Sequence, residues 1–360
     1  MTQTDRLMTR LLSLPTTSFH EDSVRAVVIQ RLRRMRVSFR IDRHGNVIAH
    51  LRRGRIHPPL AMVAHMDHPG FMLESAPLAR ARACVLRVLG GVGGNLVGKR
   101  IRFYPAGRVI GTISSIEDKG AGGRAVRVRA KLRTPLSGEM FALWDVPVFR
   151  RRNNKIFART IDDVCGVAVM LEVLKRLRRR AGPVDVYACF TRAEEVGFVG
   201  AAGLAKSRIL PKKSRVVSIE MSRKIPGRAE QGRGFVVRVG DRAGIFDPRL
   251  SRFLIESARR LKSKRASFQY QIAVLDGGVC EASLFNAMGY SASGVALPLG
   301  NYHNRTPSGG IGAEFIDGRD LQGLTEFLTE IAQKMDWNEN AQAPTRQRFI
   351  KQFDRWKKHL

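Results

Sequence analysis

The sequence predicts an α/β protein: a mostly parallel central sheet flanked by helices, carrying an inserted small β-barrel or sandwich domain. Three observations predict it. Short, near-continuous apolar runs such as LAMVA (60–64), VDVYACFT (184–191) and RVVSIE (215–220) alternate with helix-patterned segments, the mark of strands covered on both faces. Between about 76 and 155 the texture changes to short β-patterned runs broken by glycine, with no helix of ten residues, as in a small β-barrel or sandwich. A chain of 360 residues, 44% hydrophobic, has enough apolar material for two such units.

The elements follow in order. Segments 3–13 and 21–35 set Leu7, Leu11 and Leu12, then Val24, Val27, Val28 and Leu32, at helical spacing. Residues 15–18 read as a turn, with Ser18 as candidate cap of the second helix and Glu21 three residues later. Runs 37–41 and 47–51 flank His44-Gly45-Asn46 as a hairpin, and the strand 60–64 ends on His65-Met66-Asp67. After the β-rich insertion come a helix at 163–178 with Val167, Met170, Leu171, Leu174 and Leu177 on one face, strand 184–191, a helix near 200 and strand 215–220. Strands near 234–239, 268–275 and 293–299 then alternate with helices at 249–262, 280–288 and 319–334. The expected organisation is a discontinuous main domain of residues 1–75 and 156–340, an inserted domain at 76–155 and a basic C-terminal tail at 341–360.

Charge is the compositional anomaly: 63 Lys+Arg against 31 Asp+Glu leaves a net +32. Such an excess raises nucleic acid, acidic membrane surfaces and acidic substrates as partners. Residues 76–155 carry a net +13 and residues 341–360 a net +5, so the excess is concentrated in the insertion and tail. No apolar run approaches the ~18 residues a membrane span needs, so no membrane is expected as a partner. No finger, RRM or KH signature supports sequence-specific nucleic-acid recognition. The N-terminus lacks a signal-peptide pattern, and the four cysteines are scattered without a CxxC pair. A cytoplasmic, reducing setting is the expectation.

Chemistry-bearing residues gather where predicted strands end. His65 and Asp67 follow LAMVA, Asp162-Asp163 opens a helix, Glu194-Glu195 follows strand 184–191, Glu220 ends RVVSI, and His303 follows GVALPLGNY. Ligands in open α/β sheets bind beyond the carboxyl ends of the strands. Imidazole and carboxylate together suit zinc or a similar divalent ion. A two-metal site needs a bridging carboxylate, terminal ligands for each ion and an unliganded base. Singly these signals are weak: a Glu-Glu pair is most often a charged helix start. Their ordered recurrence carries the weight.

In that order, AHMDHPGFM, IDDVCG, AEEVGFVGA, SIEMS and PLGNYHN resemble the family-42 metallopeptidases, the two-metal group that includes glutamyl aminopeptidase, the tetrahedral (TET) aminopeptidases and endoglucanase-M-like proteins. Fainter echoes at DRHGNVIA, VGDRAGIFDP and DGGVCEA extend the likeness to about residue 335. The 97 residues from His65 to Asp162 leave room for an inserted domain, whereas the 83 from Glu220 to His303 read as continued α/β structure; this placement is the family-42 one. The resemblance implies a zinc-peptidase-like catalytic domain that removes N-terminal residues from short peptides. It implies two divalent ions, zinc first, with cobalt and manganese served by the same ligand types. Asp162 would bridge them, His65 and Glu220 would complete one site, and Glu195 and His303 the other. Glu194 would be the general base, and Asp67 would orient the His65 imidazole. Asp163 would either orient Asp162 or cap its helix. Glu281 would either help hold the substrate's α-amine or serve as the N-terminal acid of its helix, and a homo-oligomer, dimer or dodecamer, is implied.

The sequence departs from the family pattern in several places. Glu220 replaces the usual Asp, His68-Pro69 replaces an acid and an aliphatic, Val164 replaces an Arg, and Gly300 and Asn304 replace side chains expected along the pocket. These leave two alternatives: a two-metal amide hydrolase acting on another acyl-amino substrate, or a non-catalytic protein of this fold that binds an anionic partner.

Overall fold

The computed structural model describes residues 3–54, 58–74, 81–92, 95–138, 140–333 and 343–357. Helices α1 (Gln3–Leu12) and α2 (Asp22–Met35) precede the hairpin of β1 (Ser38–Ile41) and β2 (Val47–Arg53), and β3 (Leu60–His65) follows, buried at every position. The predicted cap differs. Glu21 occupies the N-cap of α2 without a capping side-chain bond, while the Ser18 hydroxyl donates to Asp67 Oδ2 at 2.7 Å. The buried Asp67 carboxylate gives that hydroxyl a charged acceptor, whereas a cap would use the hydroxyl oxygen to accept from a backbone N–H.

Strands β4 (Gly70–Leu73), β5 (Ala83–Leu89), β6 (Arg100–Tyr104), β7 (Ile110–Lys119), β8 (Ala125–Leu132) and β9 (Phe141–Trp144) close into a barrel in the order β4-β5-β8-β7-β6-β9. Strict alternation lets so basic a segment build a core: β8 buries Val128, Ala130 and Leu132 and turns Arg129 and Lys131 outward. Phe71, Leu86, Ile101, Phe103 and Trp144 fill the interior with them. Part of the outward charge is neutralised locally, Glu74 pairing with Arg87 and Arg127, and Asp145 with Arg100 and Arg102.

Strands β10 (Phe149–Arg152) and β11 (Lys155–Ala158) form a hairpin through Asn153, which lies at φ 51°. The expected 155/156 domain boundary therefore runs through β11; the boundaries at 75/76 and 340/341 lie outside the described residues. Next come α3 (Val164–Arg179), β12 (Val184–Thr191), α4 (Val199–Lys206), β13 (Arg215–Arg223), β14 (Phe235–Asp241), β15 (Gly244–Ile245), α5 (Pro248–Lys264) and β16 (Tyr270–Val274). Helix α6 (Glu281–Ala287), β17 (Ser291–Leu299), β18 (Glu314–Asp317), α7 (Gly318–Gln333) and α8 (Ala343–Trp356) complete the order. Strand β18 joins β11 to make a three-stranded sheet with β10.

The main sheet runs β1-β2-β12-β3-β13-β17-β14-β15, with β16 also paired to β14. Its four central strands, β12, β3, β13 and β17, are parallel, whereas β1, β2 and β15 pair antiparallel and β14 runs antiparallel to β17. The parallel character is thus confined to the centre and to the β14–β16 pair. All four central strands point their carboxyl ends at one edge. Helix α3 is buried on nearly every face rather than along one stripe, because α1, α2 and α7 pack over its outer side. Among the described residues, no helix is long and apolar enough to cross a membrane.

Candidate metal centre

At the carboxyl edge of the parallel strands, His65 ends β3, Glu194-Glu195 follow β12, Glu220 lies within β13, and His303 follows β17. Asp162, just ahead of α3, stands between them. All six line one cavity of about 660 Å³. The two Asp162 oxygens face opposite ways: Oδ1 is 3.6 Å from His65 Nε2 and Oδ2 is 3.5 Å from His303 Nε2. His303 Nε2 also lies 3.5 Å from Glu195 Oε1, and His65 Nε2 lies 3.7 Å from Glu194 Oε2. Two clusters capable of holding a cation share Asp162: His65, Asp162 and Glu220, and Asp162, Glu195 and His303, each with donor atoms within 4.8 Å of one another. A third combines His65 with Glu194 and Glu195.

Each imidazole is turned by its other nitrogen. His65 Nδ1 sits 3.1 Å from the Asp67 carbonyl oxygen and 3.4 Å from Asp67 Oδ1, leaving Nε2 toward the acids. His303 Nδ1 lies 3.1 Å from the carbonyl oxygen of Gly91, in the segment after β5, so the inserted barrel orients a residue of the main domain. A Cβ at Gly91 would lie 2.6 Å from His303 Nδ1; only glycine permits this approach. The Asp67 carboxylate does more than face an imidazole, since Oδ1 accepts from Glu194 N–H and Oδ2 from Glu195 N–H.

Glu314 was not legible as a site residue. It is fully buried at the start of β18, and its Oε2 accepts from the Ile161 and Asp162 N–H groups at 2.8 and 3.1 Å. Its Oε1 accepts from His303 N–H at 2.9 Å. One carboxylate therefore fixes the backbone of three residues on the two segments that meet across the cluster. No motif marks Glu314, because its partners are brought to it by the β11–β18 pairing. Asp163 resolves as a cap: its Oδ1 accepts from Gly166 N–H at 3.2 Å. Glu281 lies behind the cavity, fully buried, where Oε1 accepts from the Thr191 hydroxyl at 2.6 Å.

Three departures from the family pattern, His68, Gly300 and Asn304, have physical explanations. His68 is buried, with Nδ1 2.5 Å from the Asp162 carbonyl oxygen and Nε2 3.1 Å from Asn304 Oδ1. Asn304 Nδ2 in turn donates to the Arg159 and Gly312 carbonyls. His68 and Asn304 are thus one buried unit linking the Asp162 and His303 loops, and neither lines the cavity. At Gly300 a Cβ would lie 2.2 Å from the Phe315 ring, so Phe315 occupies the volume that a side chain there would need.

The electrostatics of the cluster favour added positive charge. Burial, reinforced by neighbouring acids, raises the pKa of Glu194 well above the carboxylate range and that of Glu195 to about 7. Burial pulls His303 down, but Glu195 and Asp162 outweigh it and hold its pKa at about 9; His65 is likewise raised by Glu194, Asp162 and Asp67. Asp162 Oδ1 is buried without a hydrogen-bond partner. An imidazole-and-carboxylate set with an orphaned bridging oxygen fits divalent cations. Such a cation must displace protons from His303 and Glu195. Its apparent affinity is therefore expected to rise with pH across about 7 to about 9, since below those values protons compete for the same atoms. Titration calorimetry in buffers of different ionisation enthalpy measures this, and a pH-independent affinity would contradict it.

Comparison with known proteins adds a family likeness. The profile of the M42 glutamyl aminopeptidase family matches residues 137–307, a span containing Asp162, Glu194, Glu195, Glu220 and His303. This span, just under half of the chain, is similar to the M42 metallopeptidases. Together with the aminopeptidase relatives, the match supports a peptide-bond hydrolase of the aminopeptidase type, and similar solved structures share the α/β body with its inserted barrel. A putative aminopeptidase of Acetivibrio thermocellus is 24% identical over 318 residues, 83% of this chain and 91% of its own length. The lysyl aminopeptidase of Pyrococcus furiosus is 25% identical over 361 residues, 92% of this chain and 98% of its own. Among solved structures, the TET1 peptidase of Pyrococcus horikoshii superposes with a TM-score of 0.76 at 21% identity, covering 92% of this chain and all of that one.

Proposed function

We propose that this M42-like enzyme hydrolyses the first peptide bond of short peptides at a two-metal site. Asp162 would be shared between the ions, His65 and Glu220 would hold one, and Glu195 and His303 would hold the other. The observation that carries the reading is the division of the Asp162 carboxylate between two separate imidazole-and-carboxylate sets. When bound, the two cations polarise the scissile carbonyl and acidify the attacking water. Glu194 takes the proton from that water and passes it to the leaving amine. Asp67 holds Glu194 and Glu195 by their backbone N–H groups while it faces His65. Glu281, whose pKa burial raises to about 8, acts from behind the cavity as a support for Thr191 rather than as a direct holder of the substrate amine.

The cavity also speaks to substrate. Besides the ligand set and Glu194 it is lined by Arg124, Arg223, Arg238 and Arg242 against one further acid, Asp276. A peptide with an acidic N-terminal side chain meets opposite charge there, and a lysyl one meets like charge. We expect kcat/KM for glutamyl p-nitroanilide to exceed that for lysyl p-nitroanilide by roughly tenfold or more, about 1.4 kcal/mol of discrimination. A preference for the lysyl substrate would overturn this assignment while leaving the peptidase reading intact. Absence of both bound metal and turnover across amino-acid p-nitroanilides would remove the two-metal reading.

The P. horikoshii TET1 peptidase is described as assembling into a tetrahedron or a large octahedral shell. By that likeness the chain is read as a homo-oligomer, and a cytoplasmic setting agrees with its four free, buried cysteines.

A further inference from the structure

The last helix does not line the cavity, and its described surface carries an apolar side and a basic side. Every residue from 347 to 357 is exposed. Phe349, Ile350, Phe353 and Trp356 are 64%, 47%, 57% and 56% accessible, and at 100° per residue they fall within an arc of about 120°. Arg348, Lys351 and Arg355 occupy the opposite side. Residues 343–357 hold five basic residues and one acid, Asp354, which pairs with Lys357 at 3.0 Å.

We propose that α8 docks on an anionic phospholipid surface, laying Phe349, Ile350, Phe353 and Trp356 into the headgroup boundary. The charge selects the occupant. A second copy of this chain would bring a like-charged helix as part of a chain whose net charge is +32, whereas an anionic surface complements the Arg and Lys side. The apolar arc separates lipid from nucleic acid: phosphate contacts alone leave four large apolar side chains in water, while an interfacial position buries them. Aromatic residues suit that boundary, where an apolar ring meets a polar layer. A helix of 14 residues, about 21 Å long, lies on such a surface rather than spanning it. Each basic side chain near an anionic membrane adds about fivefold to binding.

The full-length, metal-loaded protein is incubated with vesicles of phosphatidylcholine alone, or with one quarter phosphatidylserine, at 0.15 and 0.5 M salt, and sedimented. Binding to the anionic vesicles at least tenfold tighter than to the neutral ones is expected, with a blue shift of Trp356 fluorescence that Trp356→Phe removes. The triple variant Phe349→Ser, Phe353→Ser, Trp356→Ser is expected to lose at least tenfold in vesicle binding with unchanged peptidase activity. Equal sedimentation of the triple variant would overturn the proposal in favour of adsorption by net charge. So would a fall in oligomer mass in the triple variant without a change in vesicle binding, which assigns the face to a second copy. Salt-sensitive binding to a DNA or RNA oligonucleotide in the absence of vesicle binding would also overturn it.

Discussion

Glu194→Gln is expected to lower kcat on amino-acid p-nitroanilides by ~10²–10⁴-fold, the usual range for removing a general base, with bound metal retained. The ligand oxygens of Asp162, Glu195 and Glu220 are untouched by the change. The Glu194 backbone N–H still donates to Asp67 Oδ1, so the loop keeps its place. What disappears is a carboxylate able to accept a proton from water and return it to an amine. Glu194 is suited to that task because burial and its neighbours Glu195 and Glu220 raise its proton affinity, against the pull of His65. Metal analysis beside steady-state kinetics separates the outcomes: unchanged kcat removes Glu194 from the mechanism, and lost metal makes it a ligand, as its proximity to His65 Nε2 would then require.

Glu314→Ala is expected to weaken metal affinity by ~10–100-fold, the range seen for groups that orient ligands, and to lower the melting temperature. The substitution leaves the N–H groups of Ile161, Asp162 and His303 without their acceptor in a dry site, at about 1–3 kcal/mol for each group not re-satisfied. Glu314→Gln should not restore the site. Whichever way the amide is turned, its NH2 faces at least one of those N–H donors. Burial and the nearby Asp162 push the Glu314 pKa well up, while His303 and the backbone N–H groups oppose that shift; ligand geometry and carboxylate charge are therefore coupled here. Calorimetric metal titration with thermal melts of both variants checks the expectation, and wild-type metal affinity in Glu314→Ala would sink it.

Much of this centre was legible because its residues recur at strand ends. His65, Asp162, Glu194, Glu195, Glu220 and His303 each follow or precede an apolar run that could be read as a strand or helix, and a sheet with parallel central strands brings such ends together. The groups behind them were less legible. Ser18 looked like a helix cap because its local spacing to Glu21 allows one; it is instead drawn to Asp67, a residue 49 positions away in sequence. Gly300 and Asn304 looked like gaps in a pocket wall. Phe315 fills one of them, and His68 binds the other. Neither partnership has a sequence period, since both span separate loops.

The charge that dominates the composition divides in the same way. By itself, the sequence determined the α/β body with its β-rich insertion, the ordered set of acids and histidines, and the concentration of basic residues in the insertion and tail, because periodicity and composition are local properties. Only the tertiary structure decided that Asp162 splits its oxygens between two imidazoles, that Gly91 of the barrel segment orients His303, and that Glu314 ties two loops. It also decided which arginines face acids on the barrel, which line the cavity, and which stand on an exposed helix beside an apolar face. Hydrogen bonds and packing between distant segments exist only once the chain has closed, and these contacts give each charge its surroundings.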